Sequence, residues 1–291
     1  RKTEWVVGIG EALWDILPEG RKIGGAPANF AYHMSQFGLR SCAVSAVGDD
    51  EAGRELRNQL REKGVGHMLE TVPFPTGTVE VTLDGAGIPS YEIRQGVAWD
   101  NIPFTPQIEE LARHTRAACF GSLAQRSPVS HRTIGRFLET MPDGEGQYKV
   151  FDINLRQHFY TQQVVEESLR KCNILKINDE ELAVVGSMFG LEGMQPGEQC
   201  RTLLDRYGLR IVILTCGAAG SSVFAPDTRS YIPTPRVEVA DTVGAGDSFT
   251  ASFLAALLSG LGIGEAHRLA VDVAAPVSYT HLRAHETLRH L

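Results

Sequence analysis

Apolar positions along this chain follow two rhythms. Trp5 to Ile9 is a short apolar run ending in glycines, the pattern of a buried strand. In "GGAPANFAYHMSQFG", Phe30, Ala31, Met34 and Phe37 share one helical face, with Pro27 suited to the first turn and Gly38 to the end. "SCAVSAVG" predicts a second buried strand. "DDEAGRELRNQLREKGV" predicts an amphipathic helix with Ala52, Leu56 and Leu60 at spacing four, stopped by Gly64. Strand, helix, strand, helix predicts an α/β domain with a mostly parallel sheet covered on both faces. "AACFGSL", "KVFDINL", "NILKIN" and "RIVILTCG" predict further buried strands separated by helical stretches.

One segment departs from this grammar. In "TVEVTLDGAGIPSYEIRQG", Val79, Val81 and Leu83 alternate with Glu80, Thr82 and Asp84, and Tyr91 and Ile93 with Glu92 and Arg94. Such strands have one apolar and one polar face, as in a small lid or an edge hairpin, and the pattern fits both. The end of the chain, "PVSYTHLRAHETLRHL" (276–291), has no apolar stripe. It holds three of the nine histidines, without the HExxH spacing, and resembles translated cloning or sequencing adapter, so it is set aside from the fold.

Composition narrows the function. With 291 residues and 43% hydrophobic positions, a large core is within reach. A net charge of −7 disfavours nucleic-acid binding by a broad basic face. The five cysteines are odd in number, widely spaced and without a CxxC pair, so reduced thiols in a cytoplasmic protein are expected rather than disulfides or a metal site. No apolar run approaches the roughly 18 residues of a membrane span. The opening "RKTEWVVGIGEALWD" turns acidic too early for a secretory leader.

Familiar nucleotide and hydrolase motifs fail. GxxxxGK[ST] and GxSxG are absent, and "GIGEALWD" supplies Gly8 and Gly10 but Leu13 in place of the third glycine of a dinucleotide loop. "DTVGAGDSF" is more informative. Gly244, Ala245 and Gly246 lead into a helix whose first N–H groups and dipole favour an anion, and their small side chains allow close approach. Asp247 beside such an anion reads as a base for an attacking hydroxyl or, equally on spacing, as a first-turn cap. In "GGAPAN" (24–29), paired glycines permit a turn or a ligand, and Asn29 offers a donor and an acceptor for sugar hydroxyls.

Together, "IGGAPANFA" and "DTVGAGDSF" resemble the two signatures of the ribokinase-like (PfkB) carbohydrate kinases, in order, within a resemblance spanning about residues 5–275. It implies a three-layer α/β/α sandwich over residues 1–275 with a β lid from about 13–23 and 76–96. It implies transfer of the ATP γ-phosphoryl group to a primary sugar hydroxyl, with Asp247 as base and Gly244, Ala245 and Gly246 as anion hole. Asp15, Gly25 and Asn29 would bind sugar, and Arg94 and Arg156 sugar or phosphate. Asn178 and Glu181 in "KINDEEL" match the family's NxxE, implying Mg²⁺ held through water. Thr215, Gly217 and Gly220 in "TCGAAGS" match its nucleotide loop. Asp241 and the Val243 carbonyl match part of a K⁺ site, and the lid implies a homodimer.

"GGAPANFA" and "DINLR" resemble the fructokinase branch most, implying fructose, with 2-keto-3-deoxygluconate, then ribose or a nucleoside, as runners-up. Relatives continue beyond "AHRLAVDVAA" into a loop and helix that wall the adenine. The different tail here implies weakened ATP binding, or a sugar- or nucleotide-binding protein without turnover.

Overall fold

A computed structural model describes residues 4–235 and 245–275. Two compact units divide the chain: Arg1–Ser35 with Arg40–Pro142, and Gln36–Leu39 with Asp143–Leu291. In the first, the strands are β1 (Trp5–Ile9), β2 (Leu13–Leu17), β3 (Gly20–Gly24), β4 (Ser41–Gly48), β5 (Gly66–Val72), β6 (Gly77–Leu83), β7 (Pro89–Ile93) and β8 (Thr115–Phe120). The helices are α1 (Ala26–Gln36), α2 (Glu51–Glu62), α3 (Pro106–Arg113) and α4 (Pro128–Thr140).

Strands β8, β1, β4 and β5 are parallel neighbours in that order. All eight residues of β4 are buried, as a strand covered on both faces requires. Helix α2 starts where Asp50 Oδ1 accepts from the Gly53 N–H at 2.8 Å, and Gly64 ends it at φ +73°. Its Leu56 and Leu60 join Trp14, Ala28, Ala31, Val47 and Leu69 in one core cluster.

Segments 13–24 and 77–93 form a separate four-stranded sheet, β3-β2-β6-β7, in which β2 and β6 are parallel and the other pairs antiparallel. Its apolar row loses cover toward the hairpin tip. Val79 is buried, whereas Leu83, Ile88 and Tyr91 are more than half exposed.

The second unit carries β9 (Tyr148–Asp152), β10 (Ile174–Asn178) and β11 (Ile211–Thr215) in parallel, continued antiparallel by β12 (Ser221–Ala225) and β13 (Thr228–Ile232). Its helices are α5 (Gln162–Lys171), α6 (Asp179–Met188), α7 (Pro196–Arg206), α8 (Ala245–Leu258) and α9 (Ile263–Ala274). Both α7 and α9 pack on β12, whose five residues are all buried.

His267 pins α9 to this sheet. It is fully buried, with Nε2 2.8 Å from Ser221 Oγ and Nδ1 2.7 Å from Ser230 Oγ. Burial, helped by the charge of Arg268, pushes its pKa from 6.5 down to about 4. The folded value lies below the unfolded one. The neutral ring therefore gives its full stability above pH 6.5, and that stability drains as pH falls toward 4. The loss is bounded by about 3 kcal/mol. Urea unfolding between pH 7 and pH 4 should show it, and His267→Gln should flatten the slope; an equal slope in both proteins would count against this assignment.

Candidate active site

In the first unit, Asp15 lies half-buried on β2, directly opposite Lys22 of β3. Burial raises its pKa above the ordinary 3.8, against the pull of Lys22. The paired glycines next to it are required by the chain's own packing. A Cβ on Gly24 would lie 2.2 Å from Asp15 Oδ2 and 2.8 Å from its Cγ. Gly25 has φ +100°, and a Cβ there would lie 2.4 Å from the Glu11 carbonyl oxygen. The Asn29 N–H then donates to the Gly25 carbonyl at 3.0 Å in the first turns of α1. Gly24 and Gly25 thus carry the chain from beside Asp15 into the first turns of α1, where Asn29 lies.

Gly24→Ala should push the Asp15 carboxyl aside. A stability loss of about 1–3 kcal/mol by urea unfolding is expected; unchanged stability would mean that the carboxyl yields freely.

In the second unit, α8 begins with Ala245 and Gly246, and Asp247 stands half-buried in its first turn. Gly244, Asp241 and Val243 lie outside the described residues, as does the segment 276–291. From Ser248 to Ala256 every residue of α8 is buried, so the helix is a core element whose N-terminal turn carries the exposed Gly246. The first four N–H groups of a helix have no acceptor within it, and the dipole adds partial positive charge there.

A charged pair packs against this turn. Lys176 and Asp152 face each other across β10 and β9, both buried, with Nζ 3.4 Å from Oδ1. Thr250 Oγ1 lies 3.0 Å from Asp152 Oδ2 and 3.0 Å from the Gly246 carbonyl. A Cβ on Gly246 would lie 3.5 Å from Lys176 Nζ. The sequence reading missed both charges, although each interrupts an otherwise apolar strand.

Asn178 and Glu181 form a reciprocal cap on α6. Asn178 Oδ1 accepts from the Glu181 N–H at 2.8 Å, and Glu181 Oε1 from the Asn178 N–H at 3.0 Å. Glu181 Oε2 also accepts from the Leu155 N–H at 2.8 Å. Glu181 is 9% exposed, and burial outweighs these N–H bonds and raises its pKa. It therefore ties the loop after β9 to α6. That loop holds Asn154 at φ 39° and Gln157 at φ 49°, a left-handed backbone that non-glycine residues seldom adopt. The exposed Arg156 between them donates to the Leu155 carbonyl at 3.1 Å.

Thr215 ends β11, and the turn beyond it needs glycine twice, at Gly217 (φ +52°) and Gly220 (φ +106°). A Cβ on Gly220 would lie 2.6 Å from the Ile232 carbonyl oxygen, whereas one on Gly217 would meet nothing within 4 Å. Gly220 is thus required by close packing, whereas Gly217 is required only by its backbone angle, and its carbonyl already accepts from the Gly220 N–H and the Thr234 hydroxyl. A cleft of about 910 Å³ borders this turn, lined among others by Gln195, Arg201, Cys216, Arg229 and Tyr231.

Among the described residues, no cluster of three or more His, Cys, Asp or Glu could enclose a metal ion. Carboxylates already engaged by backbone N–H groups, as in Glu181, suit a hydrated Mg²⁺ reached through water, since that ion sheds its shell reluctantly. None of the five cysteines forms a disulfide. No helix among the described residues is long and apolar enough to cross a membrane.

Comparison with known proteins gives the family and the fold. The pattern of the pfkB family carbohydrate kinases matches residues 20–281. A fructokinase of Klebsiella pneumoniae is 30% identical over 269 residues, covering 87% of this chain and 83% of that protein. A nucleoside kinase of Methanothermobacter thermautotrophicus is 30% identical over 258 residues, covering 86% and 76%. The structure of a fructokinase with bound ATP from Xylella fastidiosa superposes with a TM-score of 0.82 at 19% identity, covering 99% of this chain and 98% of that one. The chain belongs to the pfkB family of carbohydrate kinases, and its fold is ribokinase-like, with a mostly parallel α/β sheet and a small separate sheet.

Proposed function

We propose that this carbohydrate kinase phosphorylates fructose at a primary hydroxyl with ATP, giving fructose 6-phosphate. Fructokinases among its relatives support the substrate. The observation that carries the chemistry is Asp247, half-buried in the first turn of a core helix whose mouth favours an anion.

In this reading Asp15, Gly25 and Asn29 bind the sugar, with Arg94 and Arg156 contributing to sugar or phosphate. The small sheet acts as a lid that excludes water. Thr215, Gly217 and Gly220 receive the nucleotide. Asp247 takes the proton of the attacking hydroxyl. The hydroxyl oxygen bonds to the γ-phosphorus as the bond to the β-phosphate oxygen breaks, and ADP leaves. The backbone N–H groups of Gly244, Ala245 and Gly246 hold the charge that develops. Asn178 and Glu181 would hold Mg²⁺ through water, and the ion would supply further neutralisation of the phosphates. Asp241 and the Val243 carbonyl are proposed to hold K⁺. Exposed Leu83, Ile88 and Tyr91 on the lid support pairing with a second copy.

ADP release across a panel of fructose, 2-keto-3-deoxygluconate, ribose and nucleosides, with and without K⁺, tests the reading. Fructose should give the highest kcat/KM. A nucleoside in first place would overturn the substrate, and no ADP release with any acceptor would overturn turnover itself.

A further inference from the structure

Both chain segments that join β6 and β7 to the body of their unit converge on one short turn, Ala98–Asn101. On the entry side, the Ala98 N–H donates to the Pro75 carbonyl at 2.7 Å. Gly77 lies so close to Trp99 that a Cβ on it would be 2.3 Å from the indole Nε1. On the exit side, Asp100 Oδ2 accepts from the N–H groups of Gly96 and Val97 at 3.1 and 3.3 Å. Arg126 closes the arrangement. Its Nε and Nη2 reach the two Asp100 oxygens at 2.8 and 3.0 Å, and Nη2 also donates to the Arg94 carbonyl at 2.7 Å. The guanidinium carbon stacks 4.1 Å from the centre of the Trp99 ring. Ser127 and Ser130 fix the same turn from the start of α4, donating to the Asp100 and Trp99 carbonyls, each at 2.6 Å.

Both charged side chains are only 7% exposed. A buried ion pair is a weak source of net stability, because both partners give up water, and an apolar pair of similar volume holds a fold about as well. Its distinctive contribution is geometry. A planar fork bonded to a carboxylate fixes direction as well as distance. Here the fork ends on the backbone of Arg94 and, through Asp100, on Gly96 and Val97, which is where β7 returns to the body.

We propose that Arg126, with Asp100, is a positioning residue for sugar phosphorylation. It sets the angle at which the small sheet leaves the body of its unit and thereby places Arg94. This inference rests on the kinase reading for its kinetic consequences, though not for the clamp itself.

The test compares wild type with R126K, R126M, D100N and the neutral pair R126M/D100N. The neutral pair avoids stranding one buried charge, so it keeps the experiment interpretable if the single variants fold poorly. In the folded neutral pair, KM for sugar should rise about tenfold or more, KM for ATP should stay within about twofold, and ATP hydrolysis without sugar should increase. R126K keeps the charge but loses the fork and should fall between. A folded neutral pair with unchanged sugar KM would overturn the proposal. Amide hydrogen exchange serves even if wild type phosphorylates no sugar on the panel, an outcome that defeats the kinase reading alone. Exchange over 77–97 should quicken in the neutral pair while β1 and β4 keep their protection, and unchanged exchange there would overturn the clamp.

Discussion

Replacing Asp247 by asparagine should lower kcat about 10²- to 10⁴-fold, the usual range for a positioned general base, and leave sugar affinity nearly unchanged. The substitution separates two roles that the sequence leaves open. Asn satisfies helix N–H groups about as well as Asp, so a residue acting only as a first-turn cap would tolerate the exchange. A base would not, because the amide cannot accept the proton. The loss of a negative charge near the positive end of α8 should cost no more than about 1 kcal/mol, so the variant should stay folded. Steady-state ADP release with sugar titration, beside a thermal melt, measures both. Activity within about tenfold of wild type would remove Asp247 from the chemistry.

Much of the architecture is legible in the chain because buried parallel strands are nearly unbroken apolar runs. Trp5–Ile9 and Ser41–Gly48 form as read, and the face of α1 carrying Phe30, Ala31 and Met34 is buried as its spacing requires. The antiparallel strands β12 and β13 escape that reading. "SSVFA" and "TRSYI" are short and half polar, and β12 becomes fully buried only because α7 and α9 both pack on it. Alternation in the β6–β7 hairpin shows which residues share a face, but it cannot say whether anything covers that face. Leu83 and Tyr91 accordingly stand in solvent.

The site divides in the same way. Local signals such as the small residues before Asp247 and the N-x-x-E spacing of Asn178 and Glu181 can be read directly, and the latter is also the spacing of a helix cap. Contacts between strands cannot be read. That Gly24 must be glycine to admit Asp15 depends on pairing β3 with β2. The partnership of Lys176 with Asp152 likewise depends on β9 and β10 being neighbours in register.

That partnership underlies the second large expectation. Lys176→Met should destabilise the protein by about 3–5 kcal/mol, because it strands the Asp152 carboxylate in the core. The Thr250 hydroxyl remains to hold Asp152 but carries no charge, and the raised pKa of Glu181 should climb further once Lys176 no longer opposes it. Lys176→Met combined with Asp152→Asn should recover most of the loss, since a neutral pair of similar volume leaves no buried charge unpaired, and the amide oxygen can still accept from Thr250. A cycle of the two single variants and the double, followed by urea unfolding, should give a coupling of about 2 kcal/mol or more. Because the ammonium lies against Gly246, the single variant should also disturb the first turn of α8 and depress kcat beyond any loss of folded protein. Additive effects in the cycle would show that the two charges are neutralised by other groups, and would free the mouth of α8 from dependence on this pair.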